Sequence, residues 1–263
     1  MFYIEVSPVA FTIGPISVAW YGIMVALAVL TLVAWALVMT RREPGITRET
    51  VINAALVGIP SGVVFSRLFH VADHWSYYSQ HLNEIIGGSG LAIYGAVLGA
   101  TLGIFVYSRF RKMQFGRLAD IVAPGIILGQ AIGRVGCTFN GCCYGDKSNA
   151  FCAVVYTSPQ TNAPINIPVL PTQVFEIFFN LAVFGGLLLL RKRLRPDGSL
   201  FLVYLALYSA WRFGIDFIRE GTPILFGLHE AQVIAIVVFA IAAVRIIWMT
   251  RWVGKEEEIK PEE

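Results

Sequence analysis

The chain alternates long apolar stretches with short polar ones. A helix crosses the hydrocarbon of a bilayer with about 20 mostly apolar residues. By that measure the pattern predicts seven spanning helices, at roughly 17 to 39, 51 to 69, 91 to 109, 119 to 136, 173 to 190, 199 to 218 and 229 to 250. The second is the least regular, because VINAALVGIPSGVVFSRLF holds Asn53, Pro60 and Gly62, so a kinked or re-entrant course is an expectation there. In the third, Gly95, Gly99 and Gly103 recur every four residues and offer a close-packing face to another helix. The glycines of GGSG, ending at Gly90, are expected to turn the chain into that helix. Two polar intervals are long, 70 to 90 and 137 to 172. The expected fold is therefore an all-α integral membrane protein, one polytopic membrane domain over residues 1–250 followed by a charged tail at 251–263.

Charge placement orients it. Fifteen of the 20 Lys and Arg residues fall in alternate intervals, among them Arg41, Arg42 and Arg48, then Arg109, Arg111, Lys112 and Arg117, then Arg191 to Arg195, then Arg245 onward. The positive-inside rule makes those intervals cytoplasmic, with the N-terminus outside and the C-terminus inside, which requires an odd number of spans. The first 40 residues have no Lys or Arg and the first apolar run already has spanning length, so no cleavable signal peptide is expected. A 56% hydrophobic chain with 14% charged residues is far from the soluble mix, in which about a quarter are charged. Its net charge of +3 reads as a topology signal, and no nucleic-acid partner is expected.

Five basic residues break the rule: Arg67, Arg134, Lys147, Arg212 and Arg219 fall in the outer half of the membrane or the outer intervals. Arginine costs about 2.5–3.5 kcal/mol at the centre of a spanning helix on insertion scales, which makes each one a functional candidate. In WRFGIDFIRE, Arg212, Asp216 and Arg219 would share one helical face within about 60°. Asp216 could simply neutralise its neighbours, but Arg67 and Arg134 have no carboxylate within their own helices. Guanidinium grips phosphate through a bidentate fork and stays charged, so surplus arginine at one leaflet suits a phospholipid head group.

The two long intervals hold other chemistry. His70 and His74, with Asp73 beside them, have metal-ligand spacing, but histidines and aromatics such as Trp75, Tyr77 and Tyr78 are what an interfacial segment presents, and no metal is expected. All four cysteines, Cys137, Cys142, Cys143 and Cys152, lie within sixteen residues. Their C-x4-C-C-x8-C spacing lacks the paired CxxC pattern of zinc sites, and on the export side a disulfide is the expected use, its pairing open among three connectivities.

Six elements in order then carry a resemblance: Trp20-Tyr21-Gly22, the GRVG of Gly133 to Gly136 with Asn140 and Gly145 downstream, PTQVFE at Pro171 to Glu176, RPDG at Arg195 to Gly198, WRFGIDFIRE at Trp211 to Glu220, and Gln232. From about residue 14 to 240 the chain resembles the bacterial phosphatidylglycerol:prolipoprotein diacylglyceryl transferases. The resemblance implies a multi-pass protein of the bacterial cytoplasmic membrane, among membrane lipids. It would move the sn-1,2-diacylglyceryl group from phosphatidylglycerol to the lipobox cysteine of a prolipoprotein, forming a thioether and releasing glycerol 1-phosphate, with no cofactor. By matching position, Arg134 and Arg212 are catalytic candidates, joined by Tyr94; Arg134, Arg219, Arg67, Tyr21, Asn140, Gly145, Asp216, Glu176 and Gln232 are substrate-binding candidates. Asp216 stands where the family usually has Glu. Two departures stand out. Tyr94-Gly95-Ala96 replaces an expected His-Gly-Gly, removing the candidate base, and Cys137 and Cys142 replace an Asn and a Glu of the signature around Arg134. Three alternatives stay open: the same donor with another acceptor, an anion or lipid transporter, and a membrane thiol oxidoreductase.

Overall fold

The structure, a computed structural model, describes residues 1–42, 45–86, 90, 92–221 and 223–252. The expected turn at Gly87 and Gly88 and the tail from residue 253 lie outside the described residues. Helices α1 (Trp20–Met39), α2 (Arg48–Asp73), α4 (Ile93–Phe110), α5 (Phe115–Asn140), α6 (Thr172–Leu190), α7 (Ser199–Ile215) and α8 (Glu230–Met249) form the bulk of the chain, with a single-turn α3 at Trp75–Tyr78. Among the described residues seven helices are long and apolar enough to cross a membrane, as hydropathy predicts. The second segment is one continuous helix, for α2 runs through Pro60 without a break and is long enough to span. The Thr47 hydroxyl caps its start, accepting from the Thr50 N–H at 3.2 Å. Near Pro60, Ser61 Oγ donates to the Val57 and Gly58 carbonyls at 2.8 and 3.2 Å, adding a donor in the turn where proline withholds one.

Two compact units are distinguishable within the expected membrane region. One is Ala36–Leu118. In it α2 and α4 approach backbone to backbone, and the small residues explain why. A Cβ built on Gly95 would fall 2.5 Å from the Phe65 carbonyl oxygen, and one on Gly99 would fall 2.6 Å from that of Ser61. The four-residue glycine spacing is thus a packing face, and its partner is α2.

The other unit comprises Met1–Trp35 and the chain from Ala119 onward. Its core joins three helices through Ala123 and Ile127 of α5, Val183 and Leu187 of α6, and Leu200 and Tyr204 of α7. Gly129 and Gly136 of α5 admit α1, with ideal Cβ positions 3.2 Å from the Ala28 oxygen and the Tyr21 Cα. Asp120 fastens the start of α7, its carboxylate accepting from Gly198 N–H at 2.7 Å and Phe201 N–H at 2.8 Å, where a negative group complements the helix N-terminus. Strands add what hydropathy does not predict. A three-stranded sheet pairs β1 (Phe2–Ile4) in parallel with β4 (Val154–Tyr156), which pairs antiparallel with β5 (Pro168–Val169). Next to it along the chain, β2 (Val9–Ile13) and β3 (Ile16–Ala19) form a hairpin. The 137–172 interval is therefore folded, with its own small core of Val154, Tyr156, Ala163 and Val169. Strands β6 (Leu194–Arg195) and β7 (Arg251–Trp252) pair separately.

Candidate functional site

The site is assembled where α5 ends. Gly141 N–H donates to the Thr138 carbonyl at 3.3 Å and Cys142 N–H to the Cys137 carbonyl at 3.2 Å, while Gly141 has φ +67°. That is a Schellman ending, in which a left-handed residue reverses the chain and sets the second residue beyond the helix over the residue five positions earlier. Here those two residues are Cys142 and Cys137. Cys143 follows with φ +66°, a left-handed conformation uncommon outside glycine. The four cysteines are free thiols, against the disulfide expected from their position. The sulfurs of Cys137, Cys142 and Cys143 lie within 4.8 Å of one another.

The first turns of α6 hold this ending in place. Thr172 Oγ1 donates to the Cys143 carbonyl at 2.5 Å and Gln173 Nε2 to the Cys142 carbonyl at 2.8 Å. One turn on, Glu176 pairs with Arg134, whose Nη2 donates to Oε1 at 3.0 Å. All three α6 side chains are buried, so the PTQVFE motif is one face of a helix directed at the end of α5. The pairing also revises the charge count drawn from single helices: the carboxylate that Arg134 lacks on α5 comes from α6.

The late arginines need a second correction. Helix α7 ends at Ile215, a 3₁₀ turn follows over Asp216–Ile218, and Arg219 is extended, so Arg212, Asp216 and Arg219 do not share one α-helical face. Asp216 instead joins two elements. Its Oδ1 lies 3.0 Å from Arg212 Nη1 and its Oδ2 lies 3.1 Å from His229 Nδ1, at the residue that caps α8. Arg219 forms an antiparallel bridge with Gly145. The glycine is required there, since a Cβ would sit 2.5 Å from the Ile218 oxygen. Arg219 Nη1 is buried with no hydrogen-bond partner among the described residues, and Arg212 Nη1 has no well-aligned one despite its ion pair. Buried donors ordinarily find acceptors, so the one open guanidinium nitrogen, Arg219 Nη1, is a donor available to an anion, whereas Arg212 Nη1 already faces Asp216.

The remaining expected residues fall as follows. Tyr21, on α1, packs against α5 at Gly136, the chain neighbour of Cys137, where an ideal Cβ position lies 3.2 Å from the Tyr21 Cα. The Asn140 carbonyl accepts from both the backbone and the side-chain nitrogen of Asn162, at 3.2 and 3.1 Å. Gln232 spends both ends of its amide on protein, accepting from His229 N–H at 2.9 Å and donating to the Phe213 carbonyl at 3.3 Å. Arg67 and Tyr94 belong to the other unit. There Arg67 donates to the carbonyls of Glu84, Ile85 and Gly90 at 2.6, 2.9 and 3.0 Å. Tyr94 opens α4. The His70 and His74 rings lie 4.4 Å apart between centroids at a 34° tilt, and His74 meets Asp73 only at 3.7 Å in an exposed pair. Sequence reasoning missed His229, Thr172 and Gln173. The first had no periodic signal, while the other two stood inside a quoted motif whose purpose only packing reveals.

Local electrostatics follow from these contacts. Hydrogen bonds from the Cys137 and Cys142 thiols, aided by Arg219 and Arg134, hold the Cys143 thiol below the ordinary thiol range in spite of burial. Burial pushes the Tyr156 phenol up, and a hydrogen bond to Glu220 raises Tyr144. The chain matches the family model described as prolipoprotein diacylglyceryl transferase over residues 8–248. It is 49% identical over 251 residues to a phosphatidylglycerol–prolipoprotein diacylglyceryl transferase of Dehalococcoides mccartyi, covering 95% of this chain and 96% of that protein. A protein of the same name from Symbiobacterium thermophilum is 38% identical over 254 residues, covering 94% of each. Another, from Clostridioides difficile, is 34% identical over 233 residues, covering 87% of this chain and 90% of that protein. Matched across nearly its whole length, the chain belongs to the prolipoprotein diacylglyceryl transferase family.

Proposed function

We propose that this protein transfers the diacylglyceryl group of phosphatidylglycerol to the cysteine thiol of a prolipoprotein lipobox, in the bacterial cytoplasmic membrane with the N-terminus outside. The observation that carries the reading is the buried guanidinium nitrogen of Arg219 left open in the unit that also holds the Arg212–Asp216 and Arg134–Glu176 pairs. The acceptor thiolate attacks a glyceryl carbon, a sulfur–carbon bond forms, and the carbon–oxygen bond to phosphate breaks. The protein's main task is then to stabilise charge gathering on the departing phosphate, which fixed donors do at a few kcal/mol each.

In this reading Arg134, Arg212 and Arg219 act on the phosphate. Glu176 and Asp216 orient arginines, and Gly145 admits the Arg219 strand. Asn140 and Gln232 fix the ends of α5 and α8, and Tyr21 borders the reacting sulfur. Arg67 is carried as a substrate contact by its match to a family position, and Tyr94 as a catalytic candidate because it stands where the family has His. Membranes bearing the protein, given labelled phosphatidylglycerol and a prolipoprotein peptide, should pass label to the peptide. Arg134→Ala and Arg212→Ala should each abolish transfer with the protein still inserted. Absence of transfer under conditions where a relative works refutes the acceptor assignment, and complementation of a strain lacking the transferase separates it from another acceptor.

A further inference from the structure

We propose that Cys137, Cys142 and Cys143 form a three-thiolate site for a soft d10 cation, zinc foremost, with a fourth position open to the thiol of the acceptor cysteine. The second half rests on the transferase reading above; the first half does not. Three Sγ atoms already lie within 4.8 Å of one another. Tetrahedral zinc with Zn–S bonds of about 2.3 Å places its sulfurs about 3.8 Å apart, so closing the site takes side-chain rotation of about 1 Å or less. Neighbouring side chains along an extended chain point opposite ways, which is why a vicinal pair ordinarily ligates poorly. The left-handed backbone at Cys143 removes that obstacle, and the Schellman ending sets Cys142 over Cys137. The hydrogen bonds from Thr172 and Gln173 hold both carbonyls of the vicinal pair, so the cluster sits on a fixed frame.

Charge and chemistry agree. Three thiolates on a divalent ion carry one net negative charge and a fourth makes two, and Arg134 and Arg219 lie within electrostatic reach of Cys143. Structural zinc takes four protein ligands, whereas three plus an open position is the arrangement of catalytic sites. Cys152 stands outside the cluster. The acceptor thiol has to lose a proton before it attacks, because the thiolate is the nucleophile. A thiol bound to zinc is deprotonated outright. The balanced step is that the acceptor S–H yields its proton to water on binding, its sulfur then bonds to the glyceryl carbon, and the phosphate leaves with the electron pair of the broken carbon–oxygen bond.

The test uses the full chain in detergent micelles, reduced, stripped of metal and titrated anaerobically with Co²⁺ or Zn²⁺ alone. One equivalent of cobalt should give a sulfur-to-cobalt charge-transfer band that zinc abolishes. Cys137→Ser, Cys142→Ser and Cys143→Ser should each weaken cobalt binding at least about ten-fold, while Cys152→Ser leaves it unchanged. Because a serine variant could fail to fold, the wild-type chain supplies a second readout: zinc should protect the three cysteines from iodoacetamide and leave Cys152 labelled. A lipobox peptide should shift the cobalt spectrum and its Cys→Ser counterpart should not. The site is refuted by the lack of a charge-transfer band with all four thiols reduced, by equal protection of Cys152, or by a disulfide among the three cysteines in protein isolated anaerobically without reductant. An unmoved spectrum with the peptide, or undiminished transfer by metal-stripped enzyme, refutes acceptor ligation and leaves the transferase reading standing. Absence of transfer with metal restored refutes that reading instead, and the cobalt titration still decides the site.

Discussion

Replacing Glu176 by glutamine removes one charge from a buried pair and keeps the side chain's shape. The Glu176 side chain is 1% exposed and that of Arg134 is 16% exposed, so the guanidinium left behind is largely cut off from water. Breaking a buried pair on one side costs about 3–5 kcal/mol, and the residual exposure of Arg134 argues for about 3. For a chain of this size each kcal/mol moves the melting midpoint by about 2–4 °C, so Glu176→Gln should lower it by about 6–12 °C, and Arg134→Gln by a similar amount. The double variant carries two neutral amides able to bond to each other, and neutral replacement of a buried pair is often nearly free, so it should return to within about 1 kcal/mol of wild type. Transfer activity should not return with it, because the guanidinium needed at the phosphate is gone. Thermal unfolding in micelles and label transfer on the same preparations give both readouts. Losses that simply add in the double variant would show that the two residues are not coupled. A stable double variant with full activity would remove Arg134 from the chemistry.

Three further outcomes follow from particular contacts. Gly95→Ala sets a Cβ against the Phe65 carbonyl and should cost about 1–3 kcal/mol by overpacking, whereas Gly185→Ala, with nothing within 4 Å, should stabilise α6 by up to about 1 kcal/mol; thermal midpoints of the two check this. Asp216→Asn weakens the link between Arg212 and His229, so transfer should drop by at least about ten-fold, and kinetics against phosphatidylglycerol concentration test it. Thr172→Val removes the donor to the Cys143 carbonyl from a fully buried threonine and should lower stability by about 1 kcal/mol; no change in the midpoint would mean that this hydrogen bond does not hold the turn.

The spans, the glycine face of α4 and the residues worth watching were legible in the sequence. Crossing a bilayer is a demand that each segment meets alone, by satisfying its own backbone and presenting apolar side chains to lipid, so a one-dimensional pattern suffices. Basic residues outside the Lys- and Arg-rich intervals are likewise visible one residue at a time, which is how Arg134, Arg212 and Arg219 emerged. What each one touches was not. Glu176 lies 42 residues from Arg134, and only the packing of α6 on α5 brings them to 3.0 Å. The end of α7 at Ile215 could not be read from an apolar stretch that continues to Ile218, because leaving α-helical geometry there lets Arg219 pair with Gly145 and Asp216 meet His229. The small sheet needs a strand from the first four residues and another from beyond residue 150, and no local signal joins them. The expected export-side position pointed the cysteines toward a disulfide, whereas one left-handed turn at Gly141 and another at Cys143 gather three thiols. Hydropathy thus determines where this chain crosses the membrane, since lipid acts on every segment separately. Tertiary structure decides which buried charges and sulfurs meet, because those contacts depend on helices distant in sequence approaching at particular turns.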